Sequence, residues 1–329
     1  MKVTGDTTQH FGDDTLAATL AKSVARRGRP AAMATLWQGQ VATASVNAPL
    51  DADYEIGSVS KGITGLLYTD AVERGEVSPG STLGELLPMP PGDAAGVTLG
   101  SLATHTSGLP RLPVSAEPLK RTIALLRNGA NPYGESIAEL LEQSRGVTLS
   151  GSKPSYSNFG FELLGHAVAA GAGTTFAELV RSRLTAPLEM HSTYTPAEPS
   201  ELRQEALAGR SRTGRPRQPW TGDAIAPAGG IRSTIGDLAI LVAALLDGSA
   251  PGVSALDPVR DFAPRTRIGA AWITIDLRGT AITWHNGGTG GFRSWVGLDR
   301  KAGAAVVVLS AASVPVDGLG FKTLQRLTD

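Results

Sequence analysis

Residues 56–67 read Ile56-Gly57-Ser58-Val59-Ser60-Lys61-Gly62-Ile63-Thr64-Gly65-Leu66-Leu67, and the rest of the chain falls into place around them. Polar, extended residues Asp53-Tyr54-Glu55 run into Gly57. Apolar Ile63, Leu66 and Leu67 then recur at three- and four-residue spacing, which predicts a helix. The pattern stops at Arg74-Gly75, a basic last turn followed by a C-terminal glycine. Ser58 therefore falls at a helix N-terminus, where backbone N–H groups and the helix dipole favour developing negative charge. Lys61 is three residues on and shares its face. A serine hydroxyl is a weak nucleophile until an adjacent base takes its proton. A lysine with an ordinary pKa of about 10.4 is charged and cannot do so, whereas a buried one beside other cations can be neutral. Ser58 and Lys61 thus fit a nucleophile and its base. They fit equally an N-cap and a solvated charge, because Ser-x-x-Lys alone is a weak signal.

The chain has 329 residues, 30 Lys and Arg against 30 Asp and Glu, and no cysteine. Zero net charge with no basic run argues against nucleic acid and against an anionic membrane surface as partners. Absence of cysteine excludes disulfides, thiol catalysis and cysteine metal sites. Met1 to His10 is polar and lacks the apolar segment of an export signal, so a cytoplasmic location is expected. No Gly-x-Ser-x-Gly elbow, His-Glu-x-x-His helix, P-loop or Gly-x-Gly-x-x-Gly turn occurs, so neither a metal nor a cofactor is expected.

Leu16, Leu20 and Val24 predict a first helix over 14–27, ending in Lys22, Arg26 and Arg27. Strands are expected at 31–38 and 40–46, joined by a tight turn at Gly39. From Glu76 onward the pattern is helical, with pieces at 83–87, 98–103, 113–130, 136–144, 161–170 and 174–184. His105 lies in the turn Thr104-His105-Thr106-Ser107-Gly108-Leu109-Pro110, where a histidine more often stabilises a loop than acts as a base. His166 and His191 also read as structural. Tyr156-Ser157-Asn158 precedes the helix at 161–170. A tyrosinate near a lysine can share proton transfer, and an amide can hold a carbonyl or an ammonium. A capping turn explains the same residues. Residues 197–221 are polar and Arg/Pro-rich, a long surface loop. A helix follows to Leu246, then strands at 268–276, 280–285, 292–299 and 304–310, and a closing helix at 316–327. Strands at both ends with helices between predict an α+β fold. Residues 1–75 and 225–329 would build an antiparallel sheet flanked by N- and C-terminal helices, and 76–224 an inserted, mainly helical domain.

Three segments together resemble the active-site motifs of class C serine β-lactamases and the related DD-peptidases, penicillin-binding-protein-like esterases and transacylases. They are Ser58-Val59-Ser60-Lys61, Tyr156-Ser157-Asn158 and His285-Asn286-Gly287. Thr104 to Pro110, Gly229-Gly230-Ile231-Arg232-Ser233-Thr234 and Trp284 to Phe292 resemble that family's supporting phrases. The match runs in order over roughly residues 31–310. The resemblance implies a site in a cleft between two domains. Ser58 would be acylated, Lys61 would accept its proton, and Tyr156 would be the partner base and the acid for the leaving group. Asn158 would orient Lys61 and the substrate amide, His285 and Asn286 would line the cleft, and the N–H groups of Ser58 and Gly288, beside Gly287, would form the oxyanion hole.

One departure bears on specificity. The β-lactamases carry Lys-Thr-Gly where this chain has His285-Asn286-Gly287. Histidine near its ordinary pKa of about 6.5 is mostly neutral at pH 7, so neutral esters are expected to be preferred to anionic β-lactams. Arg293 is the other available charge. The expected partners are a small-molecule acyl donor and an acceptor: water, an amine or an alcohol. The expected activity is an intracellular serine hydrolase or transacylase, as in secondary-metabolite assembly. An exported DD-peptidase or β-lactamase with its signal removed, and a non-catalytic penicillin-binding-like sensor, are the alternatives.

Overall fold

The computed structural model describes residues 8–25 and 28–329. Its strands are β1 (His10–Gly12), β2 (Ala31–Trp37), β3 (Gln40–Val46), β4 (Asp53–Glu55), β5 (Arg232–Thr234), β6 (Arg260–Ala263), β7 (Thr266–Ile268), β8 (Ile273–Leu277), β9 (Thr280–Gly288), β10 (Arg293–Asp299) and β11 (Ala304–Ser310). Its helices are α1 (Asp14–Ser23), α2 (Val59–Glu73), α3 (Leu83–Leu86), α4 (Leu99–Ala103), α5 (Pro118–Asn128), α6 (Ile137–Glu142), α7 (Asn158–Gly171), α8 (Phe176–Val180), α9 (Ile235–Asp247) and α10 (Asp317–Thr328). Arg26 and Arg27, expected at the end of the first helix, lie outside the described residues.

The large sheet has the order β1-β3-β2-β11-β10-β9-β8-β7-β6 and is antiparallel throughout. Its central pairing joins the two ends of the chain, Ala31 of β2 opposite Ser310 of β11. Both faces are covered, so β11 is buried at every position. Successive side chains point to opposite faces. Ala305, Val307 and Leu309 therefore enter a core shared with α2, α7 and α9, while Ala304, Val306 and Val308 enter a second core with Leu20 of α1 and Leu324 of α10. Among the described residues, 76–224 contributes no strand to either sheet. The polar segment within it is tied down: Arg210 N–H donates to Ala311 O at 3.2 Å, and Arg210 O accepts from Ser313 N–H at 2.9 Å. No single described helix is long and apolar enough to cross a membrane.

The strand expected at 268–276 is interrupted. Gly269 N–H donates to Trp272 O at 2.9 Å, closing a turn in which Ala271 has φ +69°. That turn swings Trp272 fully inside, where its indole N–H donates to Gly62 O of α2 at 3.2 Å. The short strands β1, β4 and β5 were too brief for a periodicity to show.

β4 and β5 form a separate two-stranded sheet that carries a buried charge cluster. The Arg232 guanidinium donates to Asp53 Oδ1 and, at 3.3 Å, to Glu55 Oε1, and all three side chains are at most 2 % exposed. It also donates to the backbone of Asp53 (3.1 Å) and Leu207 (3.2 Å). This fixes the approach to α2 against the segment leading into α9. Arg232→Ala leaves two carboxylates buried without their cation. It should lower the unfolding free energy by about 3–5 kcal/mol in chemical denaturation; a variant as stable as the parent would show the cluster to be dispensable.

Candidate active site

Ser58 is the N-cap residue of α2, yet its side chain makes no capping hydrogen bond. The hydroxyl is left for chemistry, and Lys61 Nζ lies 3.2 Å from its Oγ. Lys61 is not a surface charge: its exposure is 0 %. Burial lowers its pKa, the charge on Arg111 pushes the same way, and Tyr156 and Glu162 pull against them. A buried amine whose charged form is disfavoured can act as a base near neutral pH.

The other partner of Lys61 comes from a wide turn at 226–230. Ile225 O accepts the N–H groups of Ala228, Gly229 and Gly230 at 2.9, 2.9 and 3.2 Å. An i→i+5 turn of this kind is rare and concentrates at functional sites. It aims two carbonyls at α2: Ala228 O accepts from Lys61 Nζ at 2.6 Å, and Pro227 O from Thr64 Oγ1 at 2.7 Å. Gly229 and Gly230 were legible as a motif. The carbonyl of Ala228 carried no side-chain signal.

Tyr156 is held from both flanks by the turn at 105–110. Ser155 N–H donates to His105 O at 2.8 Å, Ser157 N–H to His105 Nδ1 at 3.3 Å, and Ser157 Oγ to Pro110 O at 2.6 Å. The His105 ring packs 4.5 Å from that of Tyr156, and His105 itself sits at φ +55°. The histidine is thus a loop brace, and burial holds its pKa well below the ordinary value. Lys61 Nζ stands 4.9 Å from the centre of the Tyr156 ring. Ser157 caps α7 through Gly160 N–H at 2.8 Å. Asn158 begins that helix, but its amide donates to Tyr133 Oη at 2.8 Å and makes no bond to Lys61. The expectation that Asn158 holds Lys61 is corrected: the amine is held by Ala228 O and Ser58.

Strand β9 brings its end against the head of α2. Gly57, at φ +51°, has room for no side chain, because a Cβ would stand 2.6 Å from Gly288 N. A Cβ on Gly287 would stand 2.0 Å from Ile56 O and 2.9 Å from Ser58 N. The two glycines let backbone meet backbone, and the N–H groups of Ser58 and Gly288 are thereby brought to one place.

His285 does not line the cleft, which corrects its expected place. Alternation along β9 turns Asn286 out and His285 in, where it is 2 % exposed and 6.5 Å from the Trp272 ring. Its Nδ1 is 2.7 Å from Asn286 O. Burial and the charge of Lys61 bring its pKa down to about 4, so it is neutral at pH 7. Asn286 does line the cleft and donates to Asp317 at the start of α10.

The cleft has a volume of about 520 Å³ and is lined by Ser58, Tyr156, Gly288, Trp220, Arg111 and Arg293, among others. Arg111, which no motif marked, stands 5.5 Å over the Tyr156 ring. Arg293 donates to Thr289 O at 2.9 Å and Phe292 O at 2.8 Å. Neither guanidinium has a carboxylate partner among the described residues. A larger cavity, about 730 Å³, is lined by Tyr68, Val72, Thr104 and Thr106 and contains none of Ser58, Lys61 and Tyr156.

A family model described as Beta-lactamase matches residues 7–327. The chain belongs to the beta-lactamase family. A class C beta-lactamase from Rhodobacter sphaeroides has the same fold, with a TM-score of 0.78 over 94 % of this chain and 97 % of that one, at 19 % identity. The D-alanyl-D-alanine-carboxypeptidase/endopeptidase AmpH of Escherichia coli K12 is 29 % identical over 200 residues, 59 % of this chain and 49 % of that protein. The unguisins hydrolase of Aspergillus campestris is 24 % identical over 266 residues, 72 % of this chain and 46 % of that protein. The chain spans about half the length of these curated relatives. Family membership and the α+β fold with its large antiparallel sheet are as the sequence implied.

Gly287→Ala places a methyl group between Ile56 O and Ser58 N. The rate of Ser58 acylation should fall on the order of a hundredfold, the loss typical of one oxyanion donor. Acylation followed by intact mass at the parent's rate would remove Gly287 from the site's geometry.

Proposed function

We propose that this protein is a serine acyl-transfer enzyme that works through an acyl-enzyme on Ser58. The single observation that carries the reading is a wholly buried Lys61 with its amine 3.2 Å from Ser58 Oγ. Ser58 Oγ attacks an ester or amide carbonyl and forms the C–O bond, while the hydroxyl proton passes to Lys61 Nζ. The oxyanion is met by the N–H groups of Ser58 and Gly288. The bond to the leaving group then breaks, and the proton reaches that group through Tyr156. Water, an amine or an alcohol reverses the sequence and removes the acyl group. The transacylase form of this reading, in secondary-metabolite biosynthesis, differs from a hydrolase only in the final acceptor.

The cleft itself favours donors that carry an anion. His285 is neutral, and Arg111 and Arg293 supply two cations to the space around Ser58 against the one carboxylate of Asp317. A peptide ending in a carboxylate is therefore a second candidate donor, and the name of the AmpH relative points the same way.

Ser58→Ala should abolish labelling by a fluorophosphonate probe and all ester turnover, without a change in melting temperature. Retained turnover in that variant would reject Ser58 as the nucleophile. Arg111→Ala should lower kcat/KM for an anionic ester by about tenfold, roughly 1.4 kcal/mol, with little change for its neutral counterpart. Equal losses on both esters would show that Arg111 acts on the machinery instead of the substrate's charge.

A further inference from the structure

Helix α7 is apolar over most of its surface, yet Asn158, Glu162 and His166 stand one turn apart on a single face. Their exposures are 7, 4 and 6 %, so a polar stripe runs through the core. The outer two residues each have a partner: the Asn158 amide donates to Tyr133 Oη, and His166 Nε2 is 3.1 Å from Asp223 O. Two polar atoms of the stripe are left over. Glu162 Oε1 and Asn158 Oδ1 are both buried and without a hydrogen-bond partner among the described residues.

A lone carboxylate in such a place is strongly disfavoured, and the group stays protonated instead. The ionisable groups around Glu162 are Lys61 from α2, Arg121 from α5, and Glu135 and Tyr133 from the segment between α5 and α6. Burial and Glu135 raise its pKa to about 8 against the opposing pull of Lys61 and Arg121. At pH 7 the side chain is therefore mostly an acid with an O–H to give, one helical turn from a buried carbonyl oxygen that lacks a donor.

We propose that Glu162 is a positioning residue of this site: as an uncharged acid it donates its O–H to the Asn158 carbonyl, and so fixes the Asn158–Tyr133 pair beside the cleft. The inference rests on the acyl-transfer reading of Ser58 and Lys61. When Glu162 ionises, the donor is lost and the carboxylate repels the carbonyl it had held. The new negative charge also favours the ammonium form of Lys61, which withdraws the base. Both effects act on the alkaline side.

The test is the pH dependence of kcat/KM on a neutral activated ester, with the rate of Ser58 labelling by a fluorophosphonate as a second readout. The parent should lose activity with a midpoint near pH 8, where Glu162 titrates. Glu162→Ala should lose about tenfold or more in kcat at pH 7, the scale of a small displacement of a supporting group. Glu162→Gln keeps an N–H donor at the same place but cannot ionise; it should recover the neutral-pH rate and abolish the alkaline limb. An alkaline limb unchanged in the glutamine variant, or a parent-like kcat in a folded alanine variant, overturns the inference while leaving Ser58 labelling intact. Absence of Ser58 labelling in the parent overturns the acyl-transfer reading and this inference with it.

Discussion

The site depends on one amine taken out of water. Moving a lysine side chain to 0 % exposure disfavours its ammonium form, and among the described residues no carboxylate is hydrogen-bonded to it to restore the charge. What it supplies instead is a carbonyl. Ala228 O takes one N–H of the amine, which orients the nitrogen toward Ser58 without stabilising a cation as an anion would. Helix α2 makes this possible because it is buried over nearly its whole length, a condition that a surface amphipathic helix cannot meet. Arg111, close enough to act on the same amine, works in the same direction. In the proposed reading the base is thus made available chiefly by burial, with Arg111 a minor aid and Tyr156 and Glu162 opposing it.

The histidines around it add no further positive charge. His285 and His105 both face Lys61 and both are held neutral by burial. The family's lysine at the third motif would place another ammonium here; a buried imidazole does not. Positive charge lines the cleft on Arg111, which is exposed, and on Arg293, whose pKa burial lowers. In the proposed reading, reaction and recognition are thereby separated in depth: a buried amine below, guanidinium groups above.

Much of this was written in the chain. The start and end of α2, the paired strands β2 and β3, and the strands β9 to β11 follow from periodicity and glycine placement, because those features are local. The Ser58, Lys61 and Tyr156 set was legible through the order of three short motifs, each weak alone. What escaped was set by tertiary contact. The inward turn of His285 depends on which face of β9 meets the core, and a stretch ending in glycines does not declare that. Arg111 lies in a Gly-Leu-Pro-Arg turn that reads as a loop. The Ala228 carbonyl is backbone and has no residue type to read. Glu162 sits in a segment whose apolar content hides it, and its importance emerges only with Asn158 a turn away and Tyr133 across from it.

The pairing of β2 with β11 has a consequence for biogenesis. Ala31 and Ser310, paired at the middle of the sheet, lie at opposite ends of the chain, so this contact has very high sequence separation. On a ribosome, β2 and β3 emerge as a hairpin with one apolar edge open until the last segment has been made. A chain cut short before residue 304 would keep that edge exposed, losing Ala305, Val307 and Leu309 from one core and Ala304, Val306, Val308 and Leu324 from the other. Premature stop variants should therefore be substrates for chaperones and proteases, and the candidate site would be assembled only after β9 has been made and closes on the head of α2.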